Sequence, residues 1–279
     1  MEKEIAMSQN MRPMWTHEKI PADYHKFFSS EIPSGTGDEP IVANFFNNYL
    51  PGIKKTIVDM GIGSGRELAW IDKIGDLSDI IGIDYSKPML SFCGKQKRIL
   101  KHELILIEDD LLKLESTAKI VRRFDEPLVY VSLINSFGNF AKDERITFLK
   151  GLRSLVRSDD RIILCVYKRP TAAMSKNLPV FFPEAAVPKA KIDAKRLCFI
   201  REYALIPYVW HEAIEEGGFP CFWYDKKDND IIIHVDGKRM VISHRFYKEE
   251  IIDLAKVSGL LIDKIITGKF MYVAILKTK

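Results

Sequence analysis

The 279-residue sequence predicts an α/β fold: a doubly wound, mostly parallel sheet interrupted by an antiparallel β insertion. Three observations predict it. From Thr56 to Tyr167, short apolar runs alternate with helix-like stretches, which implies parallel strands joined by right-handed crossovers and a sheet covered on both faces. After Tyr167 the rhythm breaks, and residues 169–243 carry six prolines among aromatic clusters. The alternation resumes at Lys248 and runs to the last residues.

The elements follow in order. Residues 1–40 read as irregular to helical, with a helix opening at Tyr24-His25-Lys26-Phe27-Phe28 and a loop at Pro33-Ser34-Gly35-Thr36-Gly37. Ile41 to Tyr49 has helical spacing and stops at Pro51-Gly52. Strands are predicted at Thr56–Met60, Ile80–Asp84, Leu104–Ile107, Leu128–Leu133 and Arg161–Tyr167. Helices are predicted between them at Arg66–Ile74, Pro88–Leu100, Thr117–Arg123 and Arg145–Val156. Within the insertion, Ile231–Val235 and Arg239–Ser243 flank Asp236-Gly237, a hairpin signal. Lys248–Ser258 is an amphipathic helix stopped by Gly259, and Leu260–Ile266 and Phe270–Leu276 close the chain as two strands, the sixth and seventh of the main sheet. The chain thus divides into an N-terminal segment (1–40), a core (41–168), an insertion (169–243) and a completion of the core (244–279).

Composition narrows the class. With 47% hydrophobic and 29% charged residues the chain reads as a soluble globular protein. No apolar run approaches the roughly 20 residues of a membrane span, and Met1-Glu2-Lys3-Glu4 lacks a signal-peptide pattern, so a cytoplasmic protein with no membrane partner is expected. Cys93, Cys165, Cys198 and Cys221 are too scattered for a zinc site or a disulfide framework, and His211, His234 and His244 lack metal-ligand spacing, so no metal is expected. A net charge of +4 is compatible with an anionic substrate or an RNA backbone and demands neither. The densest basic cluster, Lys95-Gln96-Lys97-Arg98 with Lys101, reads as a solvated helix face.

Chemistry concentrates at Asp59-Met60-Gly61-Ile62-Gly63-Ser64-Gly65, between the first strand and its helix. Glycines allow a tight turn and close approach of a ligand to the backbone, and the following helix offers free N–H groups. Asp84, 19 residues past Gly65 at the end of the second strand, is placed to accept hydrogen bonds from both ribose hydroxyls of a nucleoside. Two cofactor classes meet that description. Nicotinamide dinucleotides favour G-x-G-x-x-G, with a pyrophosphate on the helix. Here the spacing is G-x-G-x-G, an acid precedes the first glycine by two, and position 66 is Arg. That pattern points instead to S-adenosylmethionine, which has no phosphate.

Val58 to Gly65 resembles motif I of the class I methyltransferases, and Ile83-Asp84-Tyr85-Ser86-Lys87-Pro88-Met89-Leu90 resembles the family's next motif. Glu108-Asp109-Asp110-Leu111 is similar to its acidic turn after the third strand, and Leu133-Ile134-Asn135-Ser136-Phe137 to its segment after the fourth. The end of the chain resembles the family's closing hairpin, which implies a seven-stranded sheet with an antiparallel last strand. The resemblance implies S-adenosylmethionine as cofactor, with S-adenosylhomocysteine as product. It implies that Asp59, Gly61, Gly63 and Gly65 form the cofactor turn, Asp84 holds the ribose, Tyr85, Met89, Asp110 and Leu111 meet the adenine, and Leu133 lies beside the methionine end.

The insertion lies where glycine- and sarcosine-type N-methyltransferases carry a substrate lid, so a small-molecule acceptor, methylated at an amine nitrogen, is expected. Tyr24, Asn135, Tyr208 and His211 are the candidate catalytic residues, and Arg201, Tyr203, Trp210 and Trp223 further lid candidates. An RNA or protein substrate is the alternative. The segment after the fourth strand lacks the N-P-P-Y or D-P-P-Y of base methylation, and no RNA-binding domain is apparent, so no nucleic-acid partner is expected. A non-catalytic cofactor-binding protein is a third reading, and a homodimer stays open.

Overall fold

The computed structural model describes residues 21, 22, 25, 39–134, 136–169, 223–225, 229–235, 238–268 and 271–279. Its elements are α1 (Glu39–Asn48), β1 (Lys55–Met60), α2 (Leu68–Ile71), β2 (Leu77–Asp84), α3 (Lys87–Gly94), β3 (Glu103–Glu108), α4 (Glu115–Val121), β4 (Leu128–Ser132), α5 (Lys142–Leu155) and β5 (Arg161–Tyr167). After these come β6 (Trp223–Asp225), β7 (Asp230–Val235), β8 (Lys238–His244), α6 (Lys248–Val257), β9 (Leu261–Thr267) and β10 (Met271–Lys277).

Seven strands form the main sheet in the order β3-β2-β1-β4-β5-β10-β9. The neighbours from β3 to β5 are parallel, whereas β10 runs antiparallel to both β5 and β9. The predicted antiparallel last strand is therefore β10. Side chains alternate between the faces of a strand, and the apolar runs supply both sides. Val58, Met60, Tyr130 and Ile162 pack under α5 and α6 with Phe148, Leu152, Ile251 and Leu254. Ile57, Val129, Val131 and Ile163 pack on the other face under α1, α2 and α3 with Phe46, Leu68, Ile71 and Leu90. This is the doubly wound arrangement the sequence predicts.

The chain reverses direction at β1, between β2 and β4, so the crevice at the carboxyl ends of these strands is the site such a fold offers to a ligand. β6, β7 and β8 form a separate three-stranded antiparallel sheet. Its β7–β8 pairing is the predicted hairpin. The Phe246 amide donates to the Tyr167 carbonyl at 2.9 Å and the Arg169 amide to the Phe246 carbonyl at 3.1 Å, so the residues after β8 dock beside the end of β5.

Two helices differ from expectation. The predicted helix Arg66–Ile74 is α-helical only over Leu68–Ile71. Amides around it bond three residues back, Trp70 to Glu67 and Ile74 to Ile71, the tighter 3-10 pattern. The Asp72 carboxylate meanwhile accepts the amides of Lys101 and His102. The predicted helix Pro88–Leu100 is α only to Gly94 and continues as a 3-10 turn over Lys95–Ile99, glycine being a poor residue to propagate an α-helix. Cys93 and Cys165 are buried, whereas Cys198 and Cys221 lie outside the described residues. Among the described residues no helix is long and apolar enough to cross a membrane.

Asp160, 0% exposed, ties the amino ends of β4 and β5 together. It accepts the Leu128 amide at 2.7 Å, the Arg157 amide at 2.8 Å and the Arg157 guanidinium at 3.0 Å. Asp160→Ala leaves the buried Leu128 amide unpaired and removes the tie to Arg157, and we expect it to cost about 2 kcal/mol in urea denaturation. A loss below about 1 kcal/mol would contradict this role.

Candidate functional site

β1 ends in the glycine turn, and the end of β2 holds the turn in place. The amides of Gly61 and Ile62 both donate to the Ile83 carbonyl, at 2.8 and 3.0 Å. The Gly63 amide donates to Oδ2 of Asp84 at 2.9 Å, and the Ser86 amide to Oδ1 at 2.9 Å. Gly61, Gly63 and Gly65 have φ of +96°, +55° and +75°, the left-handed region that other residues rarely adopt. At Gly65 the close approach adds to the turn: a Cβ there would stand 2.6 Å from Cys93 Sγ and 2.8 Å from Leu68 Cδ1. Among the described residues no heavy atom lies within 4 Å of a Cβ position at Gly63. The described residues thus pack the turn at Gly61 and Gly65 and leave it uncovered at Gly63.

The expected cofactor residues converge at this edge. Asp59 is buried at the end of β1, and Asp84 ends β2. Ser86 caps α3 by accepting the Met89 amide at 3.2 Å, which leaves Met89 buried and Tyr85 half-buried beside it. Past β3, Asp109 and Asp110 divide their work. Asp109 accepts the Thr117 amide at 2.7 Å and the Thr117 hydroxyl at 2.8 Å, which fixes the start of α4. Asp110 remains at the turn, where its carboxylate accepts the Leu112 amide at 3.1 Å. A Cβ on Gly61 would meet Ser136 Cβ and Oγ, each at 3.3 Å, and Leu111 Cδ1 at 3.9 Å. The segments after β3 and β4 therefore both reach the turn, and Leu133 is buried between β4 and Ser136.

Three carboxyl groups, Asp59, Glu67 and Asp84, crowd this edge, and Arg66 pairs with Glu67. Burial pushes the Asp59 carboxyl well above its ordinary range, and the nearby Glu67 and Asp84 push it further. Burial raises Asp84 to about 6, against the Ser86, Gly63 and Tyr85 amides that favour its charged form. Glu67, also buried, accepts hydrogen bonds from Arg66 and from the Trp70 indole. Such a group of confined carboxylates favours a ligand that brings positive charge and hydroxyl donors. Among the described residues no group of three or more His, Cys, Asp or Glu side chains is placed to hold a metal ion.

Three contributors went unnoticed in the sequence. Gly82 faces Ile62, whose Cδ1 would lie 2.3 Å from a Cβ there; a glycine inside the apolar run Ile80–Ile83 is the signal that could have found it. Gln96 donates to the Ser64 carbonyl at 2.7 Å, although its position within a basic cluster gives no hint of that. His25 lies with Nδ1 3.2 Å from Ser64 Oγ and its ring 5.2 Å from that of Phe92. Its neighbour Tyr24 lies outside the described residues, as do Asn135, Arg201, Tyr203, Tyr208, Trp210 and His211; Trp223 is placed only as a backbone position in β6.

No protein-family model and no curated protein matches the sequence. Solved structures match its fold. A 1,6-didemethyltoxoflavin-N1-methyltransferase from Burkholderia thailandensis, with bound 1,6-didemethyltoxoflavin and S-adenosylhomocysteine, has a TM-score of 0.57 at 12% identity, over 100% of this chain and 94% of its own. The CcbJ methyltransferase from Streptomyces caelestis has a TM-score of 0.54 at 13% identity, over 94% of this chain and 99% of its own. An S-adenosylmethionine-dependent methyltransferase from Clostridium acetobutylicum has 0.51 at 15% identity, over 97% and 98%. The fold is that of the Rossmann-like class I methyltransferases.

Two predictions follow from the turn. Gly65→Ala combines a left-handed φ with a clash, and we expect it to lower stability in urea by roughly 2–4 kcal/mol; an unchanged midpoint would contradict the geometry. Asp84 makes the ligand-free chain pH-sensitive. Its folded value of about 6 lies above the usual 3.8, so its contribution to stability is fully present below the usual value and is lost as pH rises through the folded one. The stability difference between wild type and Asp84→Asn should therefore move against wild type from about pH 4 to about pH 7. Parallel pH profiles would contradict it.

Proposed function

We propose that the chain is a methyltransferase that moves a methyl group from S-adenosylmethionine to an amine nitrogen of a small molecule. The observation that carries this reading is the carboxyl-lined edge around a glycine turn that no described residue covers at Gly63. Its donor set fits the cofactor. The space over Gly63, which no described residue fills, admits a nucleoside against the backbone, the Asp84 carboxylate suits two ribose hydroxyls, and an ammonium or sulfonium nearby would favour the charged form of Asp59. Tyr85, Met89, Asp110 and Leu111 would border the adenine, and Leu133 with Asn135 the methionine end.

When bound, S-adenosylmethionine supplies an electrophilic methyl carbon that the acceptor's lone pair attacks in line as the sulfur–carbon bond breaks, leaving S-adenosylhomocysteine. The chain's part is to align the acceptor and exclude water. An unprotonated amine needs no strong base to attack, so the site's residues act by position and field rather than by taking a proton in the transition state. The small-molecule choice is supported by the N1-methyltransferase of matching fold, which was crystallised with its small-molecule substrate.

Calorimetry tests the cofactor. S-adenosylhomocysteine should bind wild type, and Asp84→Ala should weaken binding by about 10- to 100-fold, the worth of charge-assisted hydrogen bonds. Asp84→Asn, which keeps the shape, should also weaken it, and wild-type affinity should fall as pH drops below about 6 because the carboxylate is the accepting form. Equal affinity in all three proteins would overturn the assignment. Incubation with methyl-labelled cofactor and fractionated metabolites, RNA and protein tests the acceptor: label in RNA or protein alone would establish the alternative, and tight binding without label a non-catalytic role.

A further inference from the structure

The hairpin of the insertion meets the core through a buried cluster of charged and aromatic side chains. Asp230 opens β7 and His244 ends β8, and the two are cross-strand partners at the end of the hairpin away from its turn. Side chains of such a pair share a face and touch, and His244 Nδ1 lies 2.7 Å from Asp230 Oδ1. The other ring nitrogen reaches out of the sheet: His244 Nε2 lies 3.0 Å from both carboxylate oxygens of Glu250, in the first turn of α6. Arg145, near the start of α5, reaches the same carboxylate at 3.4 Å. Burial disfavours the charged form of Arg145, and Glu250, Asp230 and Glu144 act against that. His244 is thus a joint between the hairpin and two helices of the core.

The contacts continue from this joint toward the glycine turn. The His244 ring meets the Phe246 ring edge-on with centres 4.6 Å apart, and Arg145 Cζ lies 5.1 Å from the centre of the same ring. Phe246 in turn stacks on Phe137, with centres 5.7 Å apart and planes inclined by 19°. Phe137 is buried in the 3-10 turn Ser136–Asn139 that follows β4, and β8 itself packs against that turn. Its first residue is the Ser136 whose Cβ and Oγ stand 3.3 Å from a Cβ position at Gly61. A continuous set of contacts therefore runs from the hairpin, through two phenylalanine rings, to the glycine turn. Closely packed rings pass a displacement on rather than absorb it.

We propose that His244 is a positioning residue. By joining Asp230 to Glu250 it fastens the hairpin of the insertion to α6, and through Phe246 and Phe137 it sets the turn after β4 that stands beside Gly61. The hairpin and the glycine turn then act on each other in both directions: a ligand that steadies the turn steadies the hairpin, and a loosened hairpin loosens the turn. The joint itself needs no ligand; its use, to align the acceptor side of a methyl-transfer site, rests on the methyltransferase reading.

Hydrogen–deuterium exchange of the full chain, read by mass spectrometry, tests it. Without ligand, His244→Ala and Glu250→Ala should each speed exchange in β7, β8 and Ser136–Asn139 about tenfold while β1, β2 and β10 stay within about twofold. His244→Gln, which keeps one donor for a carboxylate, should recover part of the protection. Faster exchange in the hairpin alone, in all strands alike, or nowhere overturns the proposal. S-adenosylhomocysteine bound to wild type should slow exchange in β7 and β8, and bound to Glu250→Ala it should not. Binding that leaves the wild-type hairpin unchanged, or that protects it equally in the variant, also overturns the proposal. Where calorimetry detects no binding to wild type, the cofactor reading falls, and the ligand-free comparison still decides for or against the joint.

Discussion

The site depends on one set of hydrogen bonds, the grip of the end of β2 on the glycine turn. The Ile83 carbonyl accepts two successive amides and the Asp84 carboxylate accepts a third. With its amides held there, the turn follows a left-handed path that only glycines take readily. It packs at Gly65 against Cys93 and Leu68, and no described residue covers it at Gly63. Because β2 sits next to β1 in the sheet, the grip also brings Asp84 beside the turn, and the parallel register with β3 brings the Asp109–Asp110 turn alongside. Sheet order, backbone path and electrostatics are therefore parts of a single arrangement.

That arrangement stores a cost that a ligand can relieve. Asp59, Glu67 and Asp84 are confined together, and burial disfavours the charged forms of Asp59 and Asp84. A cationic ligand with hydroxyl donors offsets the repulsion and the lost hydration at once, so it binds best where the protein alone is least comfortable.

The core of this fold was legible because its signals are local. Apolar runs such as Thr56–Met60 and Leu128–Leu133 need only their own residues to be read as buried strands, and Asp236-Gly237 announces its hairpin by itself. The helices were less legible: α2 shrank to one turn because of bonds made by Glu67 and Asp72, which no periodicity reports. In the site, Asp59, the glycines and Asp84 were readable from spacing. The division of labour between Asp109 and Asp110 was not, since it depends on where Thr117 falls in space.

Whether the glycine turn, with Asp84 at its edge, receives a nucleoside is decided by a crystal structure of the chain with S-adenosylhomocysteine. The ligand is expected over Gly63, with its ribose hydroxyls within hydrogen-bond distance of the Asp84 carboxylate and its ammonium toward Asp59. A ligand bound elsewhere, or a ribose that makes no contact with Asp84, would contradict it.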